Sequence, residues 1–518
     1  MAAAVTTAPA VSAPALVVKN KGLLMAAIML AMVMQVLDTT IANVALPHMR
    51  AALSASQDEV SWVLTSYIVA AAIATPLSGW FADRIGRRNL LLIGVGGFTA
   101  ASLLCGIATS LPEMVLYRIA QGLFGATLAP LAQAIMLDIT PRERMGQSMA
   151  IFGLGVMVAP IVGPTLGGLL TENFDWRWVF LVNLPVGMLA FAALFFNMPK
   201  ETIKRRPFDF LGFAMLATAV ASIQMIFDRG AAAGWYDSAE IWIYTGLAVS
   251  GLWAFIVHCL TAEHPFVNLG MFRDRNFATA LIFIFMIGIT TFSGLALLPP
   301  LLQNLMGYSV IDTGIVMAPR GLGTMLSMVM VGRLLNRVDT RIMVLTGIAV
   351  SAGSLWVMTG FSLQMDSGLY LWSGFFQGIG LGLIFVPLNT LAFATIAPRL
   401  RVDATAFFSL IRNVGQGVGI SLVTVVLSRM ISVNGAEIAT RLTVDYQPVR
   451  DIAGALQGVP TVLQQLSGLV SQQAAMLAYL DDFWLMAIVT ILSAPLVFLL
   501  SKPKGPAPKP DPAHAAAE

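Results

Sequence analysis

Apolar runs of roughly 20 residues recur along almost the whole of this chain, and they restrict what it can fold into. A helix of about 20 apolar residues crosses the ~30 Å hydrocarbon core of a bilayer. Apolar residues make up 57% of the sequence and charged residues only 11%, whereas a soluble domain carries about a quarter charged residues. The pattern predicts an all-α polytopic membrane protein.

We predict about fourteen spans, in the order six, two and six. The two middle segments, near 209–228 and 241–260, are apolar enough to span, although a twelve-span arrangement without them would keep the same sidedness. The last two spans are placed near 404–428 and 483–501, which leaves 431–482 as a long loop. Its mixed polarity fits either a short surface helix or a plain linker.

Most of the 30 lysines and arginines fall in loops on the side that holds the N-terminus. The positive-inside rule makes that side cytoplasmic and predicts that both termini are cytoplasmic. The Ala/Pro-rich start of the chain and residues 502–518 have compositions typical of disordered tails. The loop 431–482 then lies on the outer side.

The stretch Gly79–Arg88, GWFADRIGRR, places one acid and three arginines in a short connection between two apolar runs. Its glycines permit a tight inter-helix turn. A weaker copy with the same offsets indicates two similarly built membrane halves. The matching positions are Gly332, Asn336, Arg337 and Arg341 in the second half for Gly79, Asp83, Arg84 and Arg88 in the first.

Four charged residues stand out within predicted spans, namely Asp38, Arg118, Arg320 and Arg412. A charge at mid-bilayer costs at least ~2.5 kcal/mol, so such residues are expected to face a cavity. Asp38 is the one carboxylate predicted well inside a span and is the candidate proton carrier, unless it rests in the outer interface. Arg118 keeps its proton, so it serves as a charge partner or bonds backbone carbonyls.

Embedded polar residues can also contact a substrate. Arg320 and Arg412 are either substrate contacts or braces between helices. Gln121, three residues after Arg118 on the same helix face, and Asn43, in the run that holds Asp38, are further candidates for a substrate cavity.

Span five carries closely spaced glycines and two prolines. Small residues four apart let helices approach closely, and proline kinks a helix. The run suits either a rocking interface between two halves or static packing. Its marked positions are Gly155, Gly163, Pro164, Gly167 and Gly168.

No cofactor or metal site is predicted. The two cysteines, Cys105 and Cys259, lie inside apolar runs and form no metal-ligand pattern. The small net charge of +3 indicates no nucleic-acid partner. Nucleotide loops and nucleophile elbows are missing from the sequence, which argues against an enzyme.

Together these motifs resemble the major facilitator superfamily, specifically its fourteen-span drug:proton antiporters of the EmrB/QacA type. The resemblance runs from Gly22 to Ser501. It rests on the cytoplasmic-loop signature and on four further motifs, in the first, fourth, fifth and sixth spans. These are Leu37–Pro47, Leu116–Gly125 (LYRIAQGLFG), Gly155–Gly168 and Trp176–Gly187 (WRWVFLVNLPVG).

The resemblance implies two six-helix bundles around a central cavity, with two extra helices between them. The implied organisation is a cytoplasmic tail at 1–22, bundles at 23–198 and 263–501, a linker with two helices at 199–262, and a cytoplasmic tail at 502–518. It also implies proton-driven export of amphipathic compounds across the inner membrane, and partnership with a periplasmic adaptor and an outer-membrane channel.

Residue roles follow from the same resemblance. Asp38 and Arg118 would form the proton-coupling pair. Asp83 would latch the cytoplasmic face near the start of span thirteen, with Gly79, Arg84, Gly86 and Arg88 in the same conformational switch. Span thirteen carries Arg412 and no embedded acid, which argues against dications as main substrates.

Two rival functions stay open. The same fold could export one metabolite or siderophore, which a cavity lined by paired polar groups would favour. A membrane sensor that transports nothing is the other rival, and the embedded Asp38 argues against it.

Overall fold

The computed structural model describes residues 20–141, 144–199, 203, 207–335, 337–441 and 460–501. The predicted tails and Asn336 lie outside these residues, apart from 20–22 at the end of the first tail. Within the described part, fourteen helices are long and apolar enough to cross a membrane, which confirms the predicted number of spans. They are α1 Lys21–Ala52, α2 Glu59–Ile85, α3 Arg87–Ile107, α4 Leu111–Ile139, α5 Met145–Asn173, α6 Trp178–Asn197, α7 Phe210–Arg229, α8 Ala239–Thr261, α9 Arg275–Leu305, α10 Asp312–Leu334, α11 Thr340–Met358, α12 Ser367–Ala394, α13 Pro398–Thr440 and α14 Ser467–Leu499.

The helices form two bundles, as expected. Helices α1–α6 pack together as the N-terminal bundle, and α9–α14 pack together as the C-terminal bundle. Helices α7 and α8 pack on each other, and α7 contacts both α2 and α13. The inserted pair therefore lies beside both bundles.

Local sequence signals set the helix boundaries. Ser56 and Glu59 form a capping box at the start of α2, and Asp274 accepts a hydrogen bond from the Phe277 amide at the start of α9. Gly86 separates α2 from α3 with φ +85°, a left-handed conformation that favours glycine. We call the end of the molecule that carries this turn the motif end, and the opposite end the far end.

The segment 431–482 differs from the predicted loop. One helix runs continuously over Arg401–Arg441 and another over Pro460–Leu492, while residues 442–459 lie outside the described part. The two helices contact each other, and the Asn434 amide donates to Asp481 over 3.3 Å. These two long helices were not predicted from the sequence, because their many glutamines and serines interrupt the apolar pattern that marks a span.

Helix α5 joins the two bundles along its length. Gly155, Gly163 and Gly167 face α1, where a Cβ on Gly167 would lie 3.3 Å from the Ile41 side chain. Gly153 faces α10 on the other side, with Met328 at 2.9 Å from its Cβ position. The glycine run thus lets α5 approach a helix of each bundle closely.

The remaining marked positions of span five lie in the same helix. Pro160 and Pro164 both stand inside α5, where each removes a backbone donor. The carbonyl oxygen of Gly168 accepts a hydrogen bond from the Thr171 hydroxyl over 3.1 Å. That bond adds a side-chain donor to the backbone of the last turns of α5.

We expect Gly163→Val to destabilise the N-terminal bundle by about 1–3 kcal/mol, the usual effect of overpacking. A Cβ at Gly163 would lie 2.7 Å from Thr40 Cβ, so α1 and α5 would have to separate. Thermal unfolding of the purified protein measures the effect. Gly246→Val on α8 is the control, because a Cβ there meets nothing within 4 Å. Equal unfolding midpoints for the two variants would contradict the prediction.

Candidate functional site: a buried ion pair and the contacts between the bundles

Asp38 and Arg118 form an ion pair in the middle of the N-terminal bundle. One guanidinium nitrogen of Arg118 lies 2.5 Å from Asp38 Oδ2, and both side chains are fully buried. Helix α1 supplies the acid and α4 supplies the arginine. A buried pair of this kind is stable only when further hydrogen bonds satisfy the remaining polar atoms.

Side chains from three helices supply those hydrogen bonds. The amide groups of Gln121 and Asn183 each donate to Asp38 Oδ1 over 2.8 Å. Both amides also donate to the Ser102 hydroxyl, over 2.7 and 3.2 Å respectively. The carboxylate therefore accepts three hydrogen bonds and faces one full positive charge.

Arg118 is held on its other sides as well. Its Nε donates to the Val63 carbonyl oxygen over 2.9 Å, and a second nitrogen donates to Gln121 Oε1 over 2.7 Å. The ring centroid of Tyr67 lies 4.3 Å from the Arg118 guanidinium carbon, within cation–π range. These contacts fix the guanidinium on the carboxylate and shield the pair from solvent.

Two of these network residues were not predicted from the sequence. Asn183 is the single amide in the apolar run WRWVFLVNLPVG, which was a usable signal. Ser102 gave no signal, since a serine in a span usually bonds its own helix backbone.

The other predicted substrate residues lie apart from this network. Asn43 is exposed on α1, and Arg412 is half-buried on α13. Arg320 is buried inside the C-terminal bundle, where it donates to the Thr291 carbonyl oxygen over 3.1 Å. Gln121, the fourth of the predicted substrate residues, belongs to the network itself.

The prediction that Asp38 is the one carboxylate deep inside a span was wrong. Asp482, placed in the predicted outer loop, is fully buried on α14. Its two carboxyl oxygens have no hydrogen-bond partner among the described residues. The error follows from the fourteenth span, which begins well before the predicted residue 483.

A second ionic cluster joins the bundles at the motif end. Asp138 at the end of α4 pairs with Arg87 of the N-terminal bundle and with Arg401 at the start of α13 in the C-terminal bundle. Nearby, the Thr405 hydroxyl donates to the Pro130 carbonyl oxygen over 3.0 Å. These contacts hold α4 and α13 together.

The predicted switch turn lies against the same end of α13. A Cβ on Gly79 would lie 1.6 Å from a carboxylate oxygen of Asp403, so only glycine permits this approach. Asp83 is partly buried and Arg84 lies over the Trp80 ring at 6.0 Å. Arg88 turns away and donates to the Phe195 carbonyl oxygen over 2.8 Å.

A polar contact also crosses the molecule away from the ionic cluster. The Gln133 amide on α4 donates to Asn389 Oδ1 on α12 over 2.7 Å, and both residues are buried. Together with the Asp138 cluster, this contact closes the gap between the bundles on the motif side.

Comparison with known proteins agrees with this architecture. Residues 28–420 match the model of the Major Facilitator Superfamily. The chain belongs to this superfamily. Two solved structures share the fold: the human organic anion transporter MFSD10 (TM-score 0.59, 14% identity, 92% of this chain and 99% of that one) and the proton:xylose symporter XylE (TM-score 0.58, 13% identity, 92% and 95%).

Curated relatives place it within the superfamily. It is 32% identical to the multidrug export protein EmrB of Escherichia coli, over 92% of this chain and 95% of that protein. It is 33% identical to the fatty acid resistance protein FarB of Neisseria gonorrhoeae, with the same shares covered. A multidrug resistance protein B homolog of Mycobacterium tuberculosis is 32% identical, over 94% and 90%. The protein is thus an EmrB-type multi-pass transporter of the inner membrane, and not an enzyme.

We expect Arg118→Gln to destabilise the protein by about 3–5 kcal/mol, because it leaves the Asp38 carboxylate buried without its charge partner. The double variant Asp38→Asn with Arg118→Gln should recover part of that loss, since no charge remains buried. Thermal unfolding of the purified variants tests both statements.

Arg177→Gln is the matched control for this series. Arg177 pairs with Asp175 over 3.5 Å, but both side chains are exposed, so its loss should have a much smaller effect. A double variant less stable than Arg118→Gln would contradict the assignment.

Proposed function

We propose that this protein exports amphipathic toxic compounds in exchange for protons by alternating access. Its membership among the EmrB-type transporters supports the multidrug export. The buried Asp38–Arg118 pair is the observation that supports the coupling to protons, because a carboxylate deep in a membrane protein marks a proton pathway by default.

Asp38 carries the proton in this proposal. Arg118 cannot release its proton, so only the acid can alternate between a charged and a neutral form. In the present conformation Asp38 is fully buried and bonded on both oxygens, which suits the ionised carboxylate. Exchange of the proton with solvent therefore requires a second conformation in which the network opens.

The motif end faces the cytoplasm in this proposal, and both termini lie there. The support is the excess of lysines and arginines in the loops at this end. The Asp138 cluster then closes the cytoplasmic side of the central cavity. Opening to the cytoplasm requires α4 and α13 to separate, and with them Asp138 from Arg401.

The turn Gly79–Arg88 acts as the conformational switch. It contacts the first turn of α13 through Gly79 and Asp403, so it must move when α13 leaves α4. Asp83 and Arg84 lie at the end of α2, Gly86 forms the turn and Arg88 lies at the start of α3. All four are at the motif end and are assigned to switching rather than to substrate binding.

Neutral or weakly acidic amphipaths are the proposed substrates. The name of FarB, a fatty acid resistance protein, supports an acidic class. Among the charges deep within the spans, the arginines Arg118, Arg320 and Arg412 outnumber the acids Asp38 and Asp482, so a dication would add to an excess of positive charge. Asp38, the acid in the network, is occupied by Arg118.

A periplasmic adaptor that hands substrate to an outer-membrane channel is the proposed partner. The helix Arg401–Arg441 has 41 residues and a length of about 60 Å, roughly twice the hydrocarbon core. Together with the start of α14 it projects beyond the bilayer at the far end. This projection exposes apolar residues such as Val433 and Leu469 on its surface.

We expect Asp38→Asn to abolish active export, because an amide cannot carry a proton across the membrane. Substrate-dependent proton movement in proteoliposomes with an imposed pH gradient is the measurement. Asp366→Asn, which removes an acid at the start of α12, is the control and should transport normally. Uphill transport by Asp38→Asn at the wild-type rate would overturn the assignment of Asp38.

We expect Asp138→Asn to favour opening at the motif end, because it weakens the bridge to Arg87 and Arg401. A cysteine introduced by Thr405→Cys lies under that bridge and reports the opening through its rate of reaction with a membrane-impermeant maleimide. In inverted vesicles the reaction should be faster in the Asp138→Asn background than in the Asp366→Asn background. Equal rates would show that the cluster does not control this gap.

A further inference from the structure

The C-terminal bundle contains a cavity that the proposed transport mechanism does not use. It lies among α9, α10, α11, α12 and α14 and has a volume of about 30 Å³, enough for one or two water molecules. Seven of its lining residues are polar, which is unusual inside an apolar bundle. They are Thr290, Thr291, Arg320, Ser351, Gln377, Thr490 and Ser493.

Arg320 is the charged residue of this cavity. It is 6% exposed, and one of its terminal nitrogens bonds the Thr291 carbonyl oxygen. Its other terminal nitrogen has no hydrogen-bond partner among the described residues. A guanidinium stays protonated, so the bundle holds a buried positive charge with unused donors.

Other donors surround the same space. Gln377 is 4% exposed and its amide oxygen lacks a partner in the described part of the chain, while the amide group can present either end. Thr291 and Ser351, which both carry a hydroxyl group, also line the cavity. The hydroxyls of Thr490 and Ser493 donate instead to carbonyls of their own helix.

The internal repeat relates this cavity to the buried ion pair of the N-terminal bundle. The offset between the two copies of the glycine-rich turn takes Tyr67 to Arg320 and Asp38 to Thr291. At the matching sequence positions, the C-terminal bundle therefore has a guanidinium for the phenol ring of the first bundle and a neutral threonine for its carboxylate. The C-terminal site has the positive charge of such a pair without the negative charge at the matching position.

We propose that this cavity binds one small monovalent anion, chloride or a carboxylate group, against the free nitrogen of Arg320. An anion would balance a buried charge that otherwise stays uncompensated. The volume admits an ion of this size and excludes a drug-sized molecule. The site is thus separate from the proposed export pathway, and its test does not depend on transport.

Asp482 is the alternative source of negative charge. It lies one helical turn before Met486, whose methyl group approaches Gly294 beside the Arg320 guanidinium. The Arg320 nitrogens lie 3.3 and 3.6 Å from the Cβ position of Gly294, and the Met486 methyl lies 3.7 Å from it. The Met486 side chain therefore fills the space beside Arg320 on the side where Asp482 lies. Arg320 itself lines the cavity.

The first experiment measures thermal unfolding of the purified full chain in potassium gluconate, with gluconate replaced by chloride or by acetate at constant ionic strength. Gluconate is too large for the cavity. We expect a saturable rise of the unfolding midpoint with chloride or acetate, lost in Arg320→Gln. Arg333→Gln, an exposed arginine on the same helix, should keep the full rise.

The two anions distinguish the source of the ligand. A rise with chloride identifies a free inorganic anion, and a rise with acetate alone identifies a carboxylate group. Absence of both rises in the wild-type protein would overturn the proposal. So would a chloride effect that appears only in Asp482→Asn, because Asp482 would then be the natural counter-charge.

Two further measurements hold even if Arg320→Gln does not fold. Thr291→Asp supplies the carboxylate that the first bundle has at the matching position, and should raise the midpoint in gluconate while removing the chloride effect. Crystals of the wild-type protein grown in bromide should show an anomalous peak beside the Arg320 guanidinium. An unchanged chloride response in Thr291→Asp, or no bromide peak, would refute the site.

Discussion

The ion pair between Asp38 and Arg118 is the interaction on which the N-terminal bundle depends. Removing two unit charges from water is expensive, so the pair needs further hydrogen bonds from the bundle. Gln121 and Asn183 donate to Asp38, and Ser102 accepts from both amides, which ties α1, α3, α4 and α6 to one point. Any step that changes the charge of Asp38 therefore alters the packing of four helices at once.

The two bundles solve the problem of buried charge differently. The first pairs an arginine with an acid, whereas the second buries Arg320 beside a polar cavity and buries Asp482 apart from it. Between the bundles, the charged pairs lie at the motif end instead, in the partly exposed cluster around Asp138. A partly exposed pair loses less free energy on breaking than a fully buried pair.

Close helix contacts give this arrangement its rigidity. Helix α5 uses glycines on two faces to contact α1 and α10, so it connects the interior of one bundle to the other. The inserted helix α7 adds a second connection, because it contacts both α2 and α13. The two bundles are therefore joined through α7 as well as through α5.

The lengths of the apolar runs in the sequence determined the number of spans, because each span must satisfy its own backbone in lipid. The motifs identified Asp38, Arg118 and Gln121 and the glycines of α5. Only the tertiary structure decided which side chains meet, since the rotation of a helix about its axis depends on its neighbours. For that reason it alone placed Asn183 on Asp38, moved Asp482 from a loop into a span, joined Asp138 to Arg401, and set Arg320 inside a cavity away from Asn43 and Arg412.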